Sequence, residues 1–126
     1  MLATLRRDGS PRISAVEPWF ADDELVVGVM RASGKARDLR RDPRVAVQSL
    51  VTSPDSGEPE LKLYGRVAPS DARAGWWAEE YRDRADVYAI GVDEALHLEW
   101  IVEAQLMRVR RWTSATGESL SERPYP

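Results

Sequence analysis

The sequence predicts a mainly β protein with two short helices, and three observations carry this prediction. Six or seven segments have the length and the apolar alternation of strands, and turns rich in Gly, Pro or Asp separate most of them. The two helical segments are short connectors, so strand and helix do not alternate as they do in parallel α/β folds. The 126 residues suffice for one domain with one core. A small antiparallel barrel or sandwich satisfies all three observations.

The first strands stand on either side of a turn. Residues 2–6 alternate and end at Asp8-Gly9, a pair that favours a hairpin because glycine accepts positive φ. The partner strand is predicted over residues 12–20, where Pro18 marks a sheet edge or a bulge because it has no N–H to donate. With a third strand over residues 24–30, the sequence predicts a three-stranded meander.

The chain is organised around residues 26–47, which read strand, basic turn, helix and strand. Ser33 is a suitable N-cap, Lys35 falls in the first helical turn, and Pro43 ends the helix. A helix start presents unpaired backbone N–H groups and the positive end of the macrodipole. Together with Arg31, Ser33 and Lys35 it predicts a seat for a phosphate. The alternative is a solvated basic helix between two strands, and the two readings stay open at this point.

The second half of the chain contains further strands, a helix and a polar end. The strands are predicted over residues 45–51, 61–67, 87–92 and 98–112. A helix is predicted over residues 72–83, and its adjacent Trp76 and Trp77 are expected to cover a barrel end or a subunit interface. Residues 1–112 are therefore expected to form the domain, and residues 113–126 a loose tail or an arm onto a partner.

Composition excludes several functional classes. The net charge is −3, so no overall cationic field favours nucleic acid, and the bunched arginines suit a small anionic ligand better. No segment approaches the roughly 20 apolar residues that cross a bilayer. The first residues lack a signal-peptide pattern, so a cytoplasmic protein is expected, without membrane or nucleic-acid partners. The lack of cysteine and the single histidine, His97, argue against a metal site and against most serine triads.

The order of these segments resembles the pyridoxamine 5′-phosphate oxidase-like, flavin-binding split-barrel family. The similarity extends over about residues 2–51, through LATLRRDGSPRISAVEPWF, ELVVGVM and SGKARDLRRDPRVAV. The most specific part is the helix motif, in which the matching positions are Lys35, Leu39, Asp42, Pro43 and Val45. The sequence is most similar to actinobacterial-type branches that use either FMN or the deazaflavin F420.

This resemblance implies an antiparallel split β-barrel of six to seven strands and a homodimer with two cofactor sites at its interface. It also implies an oxidoreductase that uses FMN or F420 on a small organic substrate. The cofactor phosphate would lie at the end of the third strand and the start of the helix, and the ring along the second and third strands. The implied cofactor-binding residues are Val16, Glu17, Val27, Gly28, Val29, Met30, Arg31, Ser33 and Lys35. No catalytic acid or base is predicted, because the cofactor carries the redox chemistry.

Two other functions remain open for the same fold: a flavin- or haem-binding module without turnover, and an interaction barrel without a ligand. Asp38 stands where the family often has a neutral residue, and an extra carboxylate near a phosphate is unfavourable unless it faces Arg41 or Arg37. Members that oxidise pyridoxamine phosphate have basic substrate-holding residues near their C-terminus. The end of this chain, RRWTSATGESLSERPYP, does not match that pattern, so this particular activity is not expected.

Overall fold

The computed structural model describes residues 1–51, 57–72 and 79–125. This part of the chain forms nine strands. The strands are β1 (Leu2–Leu5), β2 (Pro11–Ser14), β3 (Pro18–Ala21), β4 (Glu24–Met30), β5 (Arg44–Gln48), β6 (Glu60–Pro69), β7 (Ala85–Ile101), β8 (Leu106–Thr113) and β9 (Gly117–Pro124). Helix α1 (Gly34–Arg41) connects β4 to β5, and a 3-10 turn spans Val102–Ala104. Among the described residues, no helix has the length and apolarity that a membrane span requires.

The chain divides into two compact units. The first comprises Met1–Ala46 and Gly65–Gly91, and the second comprises Val47–Tyr64 and Val92–Pro126. In the hydrogen-bonded sheet the strand order is β2-β1-β5-β6-β7-β4-β3, and β8 pairs with β7 and β9.

The strands of the first unit belong to one sheet. Its order begins with β2 and ends with β3, and only residues 15–17 separate these two strands in the chain. The β1–β2, β3–β4 and β4–β7 pairings are all antiparallel. The mainly β class and the antiparallel split barrel that the sequence predicts are thus confirmed.

The core of the first unit lies on both sides of β4. Val26, Val27 and Val29 are completely buried, so this strand is closed on both faces and has a run of valines instead of an alternating pattern. Val26 packs with Val87, Ala72 and the partly buried Trp19 on one of these faces.

Helix α1 turns one face toward the barrel strands. Ala36 and Leu39 are buried there, and the helix contacts β1 and β4. Arg37, Arg40 and Arg41 are exposed on its outer side. The helix start is therefore held against the barrel by its apolar side while its cations face outward.

The predicted strand over residues 12–20 is wrong, and so is the meander that depended on it. Ser14 pairs with Leu2, the first residue of β1, so the first ladder ends there. The second ladder begins at Pro18, which pairs with Val27 of β4. The chain therefore leaves one hairpin and enters another at residues 15–17, and these hairpins stand at opposite ends of the sheet order.

The C-terminal half also differs from the prediction. Strand β7 is continuous from Ala85 to Ile101, and the chain then turns through Gln105, which has a φ of 47°. A single strand over residues 98–112 is therefore wrong, because the chain reverses direction inside it and β8 pairs with β7. The predicted loose tail is also wrong for Gly117–Pro124, which forms β9 against β8.

Two expectations about this half remain untested. Residues 79–81 are helical, but Trp76, Trp77 and the rest of residues 73–78 lie outside the described residues. The domain boundary after residue 112 stays a prediction.

Replacing Gly9 by alanine is expected to lower the free energy of unfolding by about 1 kcal/mol. Gly9 has a φ of +82° in the β1–β2 turn, where an L side chain is strained although no atom blocks its Cβ. Gly91→Ala is the matched control, because the Cβ there meets only the Arg66 carbonyl oxygen at an ordinary 3.5 Å. Urea unfolding of both variants checks this, and equal losses would contradict the turn geometry.

Candidate functional site

The candidate site is built where β4 passes into α1. The backbone N–H of Ser33 donates to the Met30 carbonyl at 2.9 Å, which makes the turn after the strand. Ser33 Oγ accepts from the Ala36 N–H at 3.2 Å, so Ser33 is the N-cap that the sequence predicts. The helix ends at Arg41, and Asp42 closes it ahead of Pro43. The first turn of α1 thus has a fixed start, with its remaining N–H groups at an open end.

Lys35 points from this first turn toward the β2–β3 break. Its Nζ donates to the Ala15 carbonyl at 3.3 Å, and its side chain is half-buried. Val16 and Glu17 follow Ala15 directly in the break, where Val16 is half-buried and Glu17 is exposed. The structure therefore brings Lys35 together with the segment that contains two of the other predicted site residues.

Arg12 is a second cation at the same helix start, and the sequence analysis missed it. Its guanidinium occupies the space over Gly34, where a Cβ would stand 2.8 Å from the Arg12 Cζ. Arg12 Nε donates to Asp38 Oδ2 at 2.6 Å, which fixes the guanidinium in that position. The glycine next to Lys35 was the available signal, but a contact over 22 positions along the chain cannot be read from periodicity.

Asp38 is the buried centre of this arrangement. Its carboxylate accepts from Thr4 Oγ1 at 3.0 Å, from Arg12 Nε at 2.6 Å and from Arg41 Nη2 at 3.2 Å. Burial would raise the pKa of the Asp38 carboxyl, but the hydrogen bonds from Arg12, Thr4 and Arg41 outweigh it and hold the pKa below its ordinary value. Asp38 thus faces Arg41, which meets the condition under which its carboxylate is compatible with a nearby phosphate. Because two guanidinium groups neutralise it, this carboxylate does not oppose an anion at the helix start.

Arg31 has partners on the other side of the turn. Its Nε donates to Asp86 Oδ1 at 2.6 Å and its Nη1 to the Asp83 carbonyl at 2.9 Å. Arg40 also reaches Asp86, at 3.4 Å, and donates to the Arg31 carbonyl at 3.1 Å. These contacts tie the turn after β4 to α1 and to the start of β7. Arg31 therefore has a structural role in holding this turn. A contact between Arg31 and a phosphate stays a prediction.

The remaining predicted site residues lie along β4, and their side chains differ in solvent exposure. Val27 and Val29 are completely buried, so their side chains are closed to a ligand. Gly28 is half-buried and Met30 is 36% exposed, and strand alternation places these two on the same face. A flat ligand along β4 would therefore rest on the Gly28–Met30 face.

Acid is expected to destabilise the protein through Asp38. Since its pKa is lowered in the folded state, the contribution of this group is fully present above the ordinary value of 3.8 and is lost as the pH falls through the folded-state pKa. The free energy of unfolding should therefore decline below about pH 4. Urea unfolding between about pH 6 and pH 3 checks this, with Asp38→Asn expected to show a shallower decline. Parallel curves for the two proteins would contradict the assignment to Asp38.

The first unit is an antiparallel split barrel, and the helix start after its fourth strand is capped by Ser33 and has cationic side chains beside it. The family model described as pyridoxamine 5′-phosphate oxidase matches residues 1–112. The chain belongs to this family, in its split-barrel form. No curated protein matched the chain.

Several solved structures share this fold. PhzG from Burkholderia lata 383, in complex with tetrahydrophenazine-1-carboxylic acid, superposes with a TM-score of 0.70 at 13% identity, over 98% of this chain and 80% of that one. A pyridoxamine 5′-phosphate oxidase-related, FMN-binding protein from Nostoc punctiforme PCC 73102 gives 0.68 at 12% identity, over 97% and 84%. A haem-binding protein from Mycobacterium smegmatis gives 0.63 at 14% identity, over 98% and 81%. At these identities the likeness establishes the fold.

Proposed function

We propose that this protein is a flavin-dependent oxidoreductase that binds FMN, or alternatively F420, and acts on a small organic substrate. One observation carries the proposal: Lys35 Nζ, the Ser33-capped start of α1 and the Arg12 guanidinium converge beside the β2–β3 break. Membership in the pyridoxamine 5′-phosphate oxidase family supports it.

The chemistry of these donors fits a phosphate dianion. Lys35 supplies an ammonium group, Arg12 a planar fork of N–H donors, and the first turn of α1 supplies backbone N–H groups and the positive end of its dipole. Gly34 leaves the room in which the Arg12 guanidinium reaches the helix start, and a side chain at this position would displace it. Charge-assisted hydrogen bonds of this kind are about twice as strong as neutral ones.

When bound, FMN or F420 supplies the hydride-transfer chemistry. The residues of this chain bind and orient it. Lys35 and Arg12 hold the phosphate, and Ser33 fixes the helix start that faces it. The Gly28–Met30 face of β4 and the Val16–Glu17 segment would line the ring, since these residues flank the phosphate seat. No side chain is assigned as a proton donor.

A homodimer is part of this proposal, with the ring covered by the partner copy. Two large apolar side chains next to the β2–β3 break support it: Ile13 is 68% exposed and Phe20 is 79% exposed. Burying both against a second copy would remove apolar surface from water on either side of the site. A cytoplasmic location stays a prediction.

Titration of the purified protein with FMN and, separately, with F420 tests the proposal. We expect a saturable change in the visible absorption spectrum with one of them, and bleaching of the bound cofactor with NADPH as the electron donor. The absence of saturable binding to either cofactor would contradict the proposal.

The second candidate is a binding module of the same fold without turnover. Its support is that the half-buried cations of the seat suffice for holding an anion, and that a haem-binding protein shares the fold. Saturable FMN binding without reduction by NADPH or by another nicotinamide donor would favour it. A Soret band after haem addition would favour a haem-binding version, for which His97 of β7 is the one histidine ligand in the sequence.

A further inference from the structure

A concave surface on the first unit lies between the β1–β2 turn and α1, and we refer to it as the arginine pocket. Its lining contains five arginines and two aspartates. The arginines are Arg6, Arg7, Arg12, Arg37 and Arg41. The whole chain carries a net charge of −3, so this concentration of positive charge is local. A concave surface with charges of one sign raises the local concentration of ions of the opposite charge.

The two carboxylates of the arginine pocket are already engaged by the protein. Asp38 is only 3% exposed and accepts from Thr4, Arg12 and Arg41. Asp8 accepts from the Ser10 N–H at 3.0 Å and from Ser10 Oγ at 2.7 Å. Neither carboxylate forms an ion pair with Arg6, Arg7 or Arg37, so the wall carries an excess of positive charge.

Three arginines keep most of their donors free. Arg7 is exposed and, within the described part of the chain, its side chain makes no hydrogen bond or ion pair. Arg6 donates to Ser10 Oγ at 3.4 Å, and Arg37 donates to the Ala32 carbonyl at 3.2 Å. A guanidinium group carries five N–H donors, so each of these side chains has several left for a ligand.

Hydrogen bonds order the backbone of both walls of the arginine pocket. Arg6 N–H donates to the Ser10 carbonyl at 2.8 Å and Gly9 N–H to the Arg6 carbonyl at 2.9 Å, which closes the β1–β2 turn. Arg41 Nη2 donates to the Leu5 carbonyl, which fastens α1 to the end of β1. The backbone of the two walls of the arginine pocket is thus held by hydrogen bonds within the protein, which lowers the entropic cost of ordering it on binding.

We propose that the arginine pocket binds a small polyanion, a molecule with at least two phosphate or carboxylate groups. Its volume of about 670 Å³ is in the range of small-molecule sites and far exceeds what one phosphate group fills. Guanidinium groups recognise phosphate and carboxylate oxygens through the same paired N–H donors, so both chemistries fit. Arg12 is shared with the flavin seat. The proposal does not rest on flavin binding, because Lys35 does not line the arginine pocket and Arg7 and Arg37 are not part of the flavin seat.

Calorimetric titration of the full chain with tripolyphosphate and with citrate, each at low and at moderate salt, tests the proposal. We expect saturable binding of at least one probe that weakens as the salt concentration rises. Arg7→Gln and Arg37→Gln should each weaken it by about tenfold, the loss expected for a charge-assisted hydrogen bond. Arg123→Gln is the matched control, because Arg123 is exposed on β9 and does not line the pocket.

The outcomes separate this site from the flavin seat. Lys35→Ala should leave polyanion binding unchanged. Binding of tripolyphosphate alone would support the site and assign its ligand as a phosphate compound, and binding of citrate alone would assign it as a carboxylate compound. Failure of both probes would overturn the proposal, and so would an equal loss in Arg123→Gln. If FMN does not bind but tripolyphosphate or citrate binds in an Arg7-dependent manner, the flavin proposal fails and the arginine pocket stands.

Discussion

Replacing Lys35 by alanine is expected to weaken FMN binding by about tenfold to a hundredfold. The substitution removes one ammonium donor from the seat while the capped helix start and the Arg12 guanidinium remain. Since the present partner of Lys35 is a single backbone carbonyl at 3.3 Å, the midpoint of thermal unfolding without FMN should hardly change. Absorbance or fluorescence titration with FMN measures the loss.

The matched control is Lys62→Ala, because the chain has two lysines and Lys62 is the other one. Lys62 pairs with Glu60 at 3.2 Å and is half-buried, so its removal deletes the same charge from strand β6 instead of from helix α1. FMN affinity should stay near that of the unmodified protein in this control. Equal weakening in the two variants would mean that general charge, and not the seat, governs binding.

Replacing Asp38 by asparagine is expected to lower the free energy of unfolding by about 2 to 3 kcal/mol. The carboxylate is 3% exposed and is the shared acceptor for Thr4, Arg12 and Arg41. An asparagine would turn an NH₂ group toward donors that need an acceptor, and it would release Arg12 from the helix start. FMN affinity should therefore fall together with stability, and urea unfolding and FMN titration of the same preparation measure both.

Asp42→Asn serves as the comparison for Asp38. The side chain and the backbone N–H of Arg44 lower the pKa of Asp42 to about 2, so this aspartate also has an arginine partner. Its partner is two residues away and 59% exposed, and the pair lies past the end of α1. We expect little effect on unfolding or on FMN affinity. A larger loss of stability from Asp42→Asn than from Asp38→Asn would contradict the role given to the buried network.

Local chemistry along the chain was sufficient to predict the central part of the structure. The cap at Ser33, the helix end before Pro43 and the hairpin at Gly9 are each determined by neighbouring residues, and all three are confirmed. Lys35 was predicted for the same reason, since it falls in a first turn whose N-cap is visible in the sequence. Family resemblance added the split barrel, which local patterns alone left undecided between a barrel and a sandwich.

Contacts between distant parts of the chain explain what the sequence did not predict. The break at residues 15–17 arises because the β1–β2 ladder stops at Ser14 and the β3–β4 ladder starts at Pro18. Periodicity within residues 12–20 carries no information about where these ladders stop. Arg12 contacts Gly34 and Asp38, which lie 22 and 26 positions away along the chain, so its place in the site was missed. Strand β9 is exposed along its length, so its polar composition resembled a loose tail.

The central claim is that the junction between β4 and α1 holds the phosphate of a flavin. Comparing the affinities for FMN and riboflavin tests this claim most directly, because the two molecules share a ring and differ in the phosphate. We expect the protein to bind FMN at least about a hundredfold more tightly than riboflavin, as two charge-assisted contacts would provide, and the ratio to shrink by about tenfold in Lys35→Ala. Equal affinities for FMN and riboflavin, or a ratio that Lys35→Ala leaves unchanged, would contradict the claim.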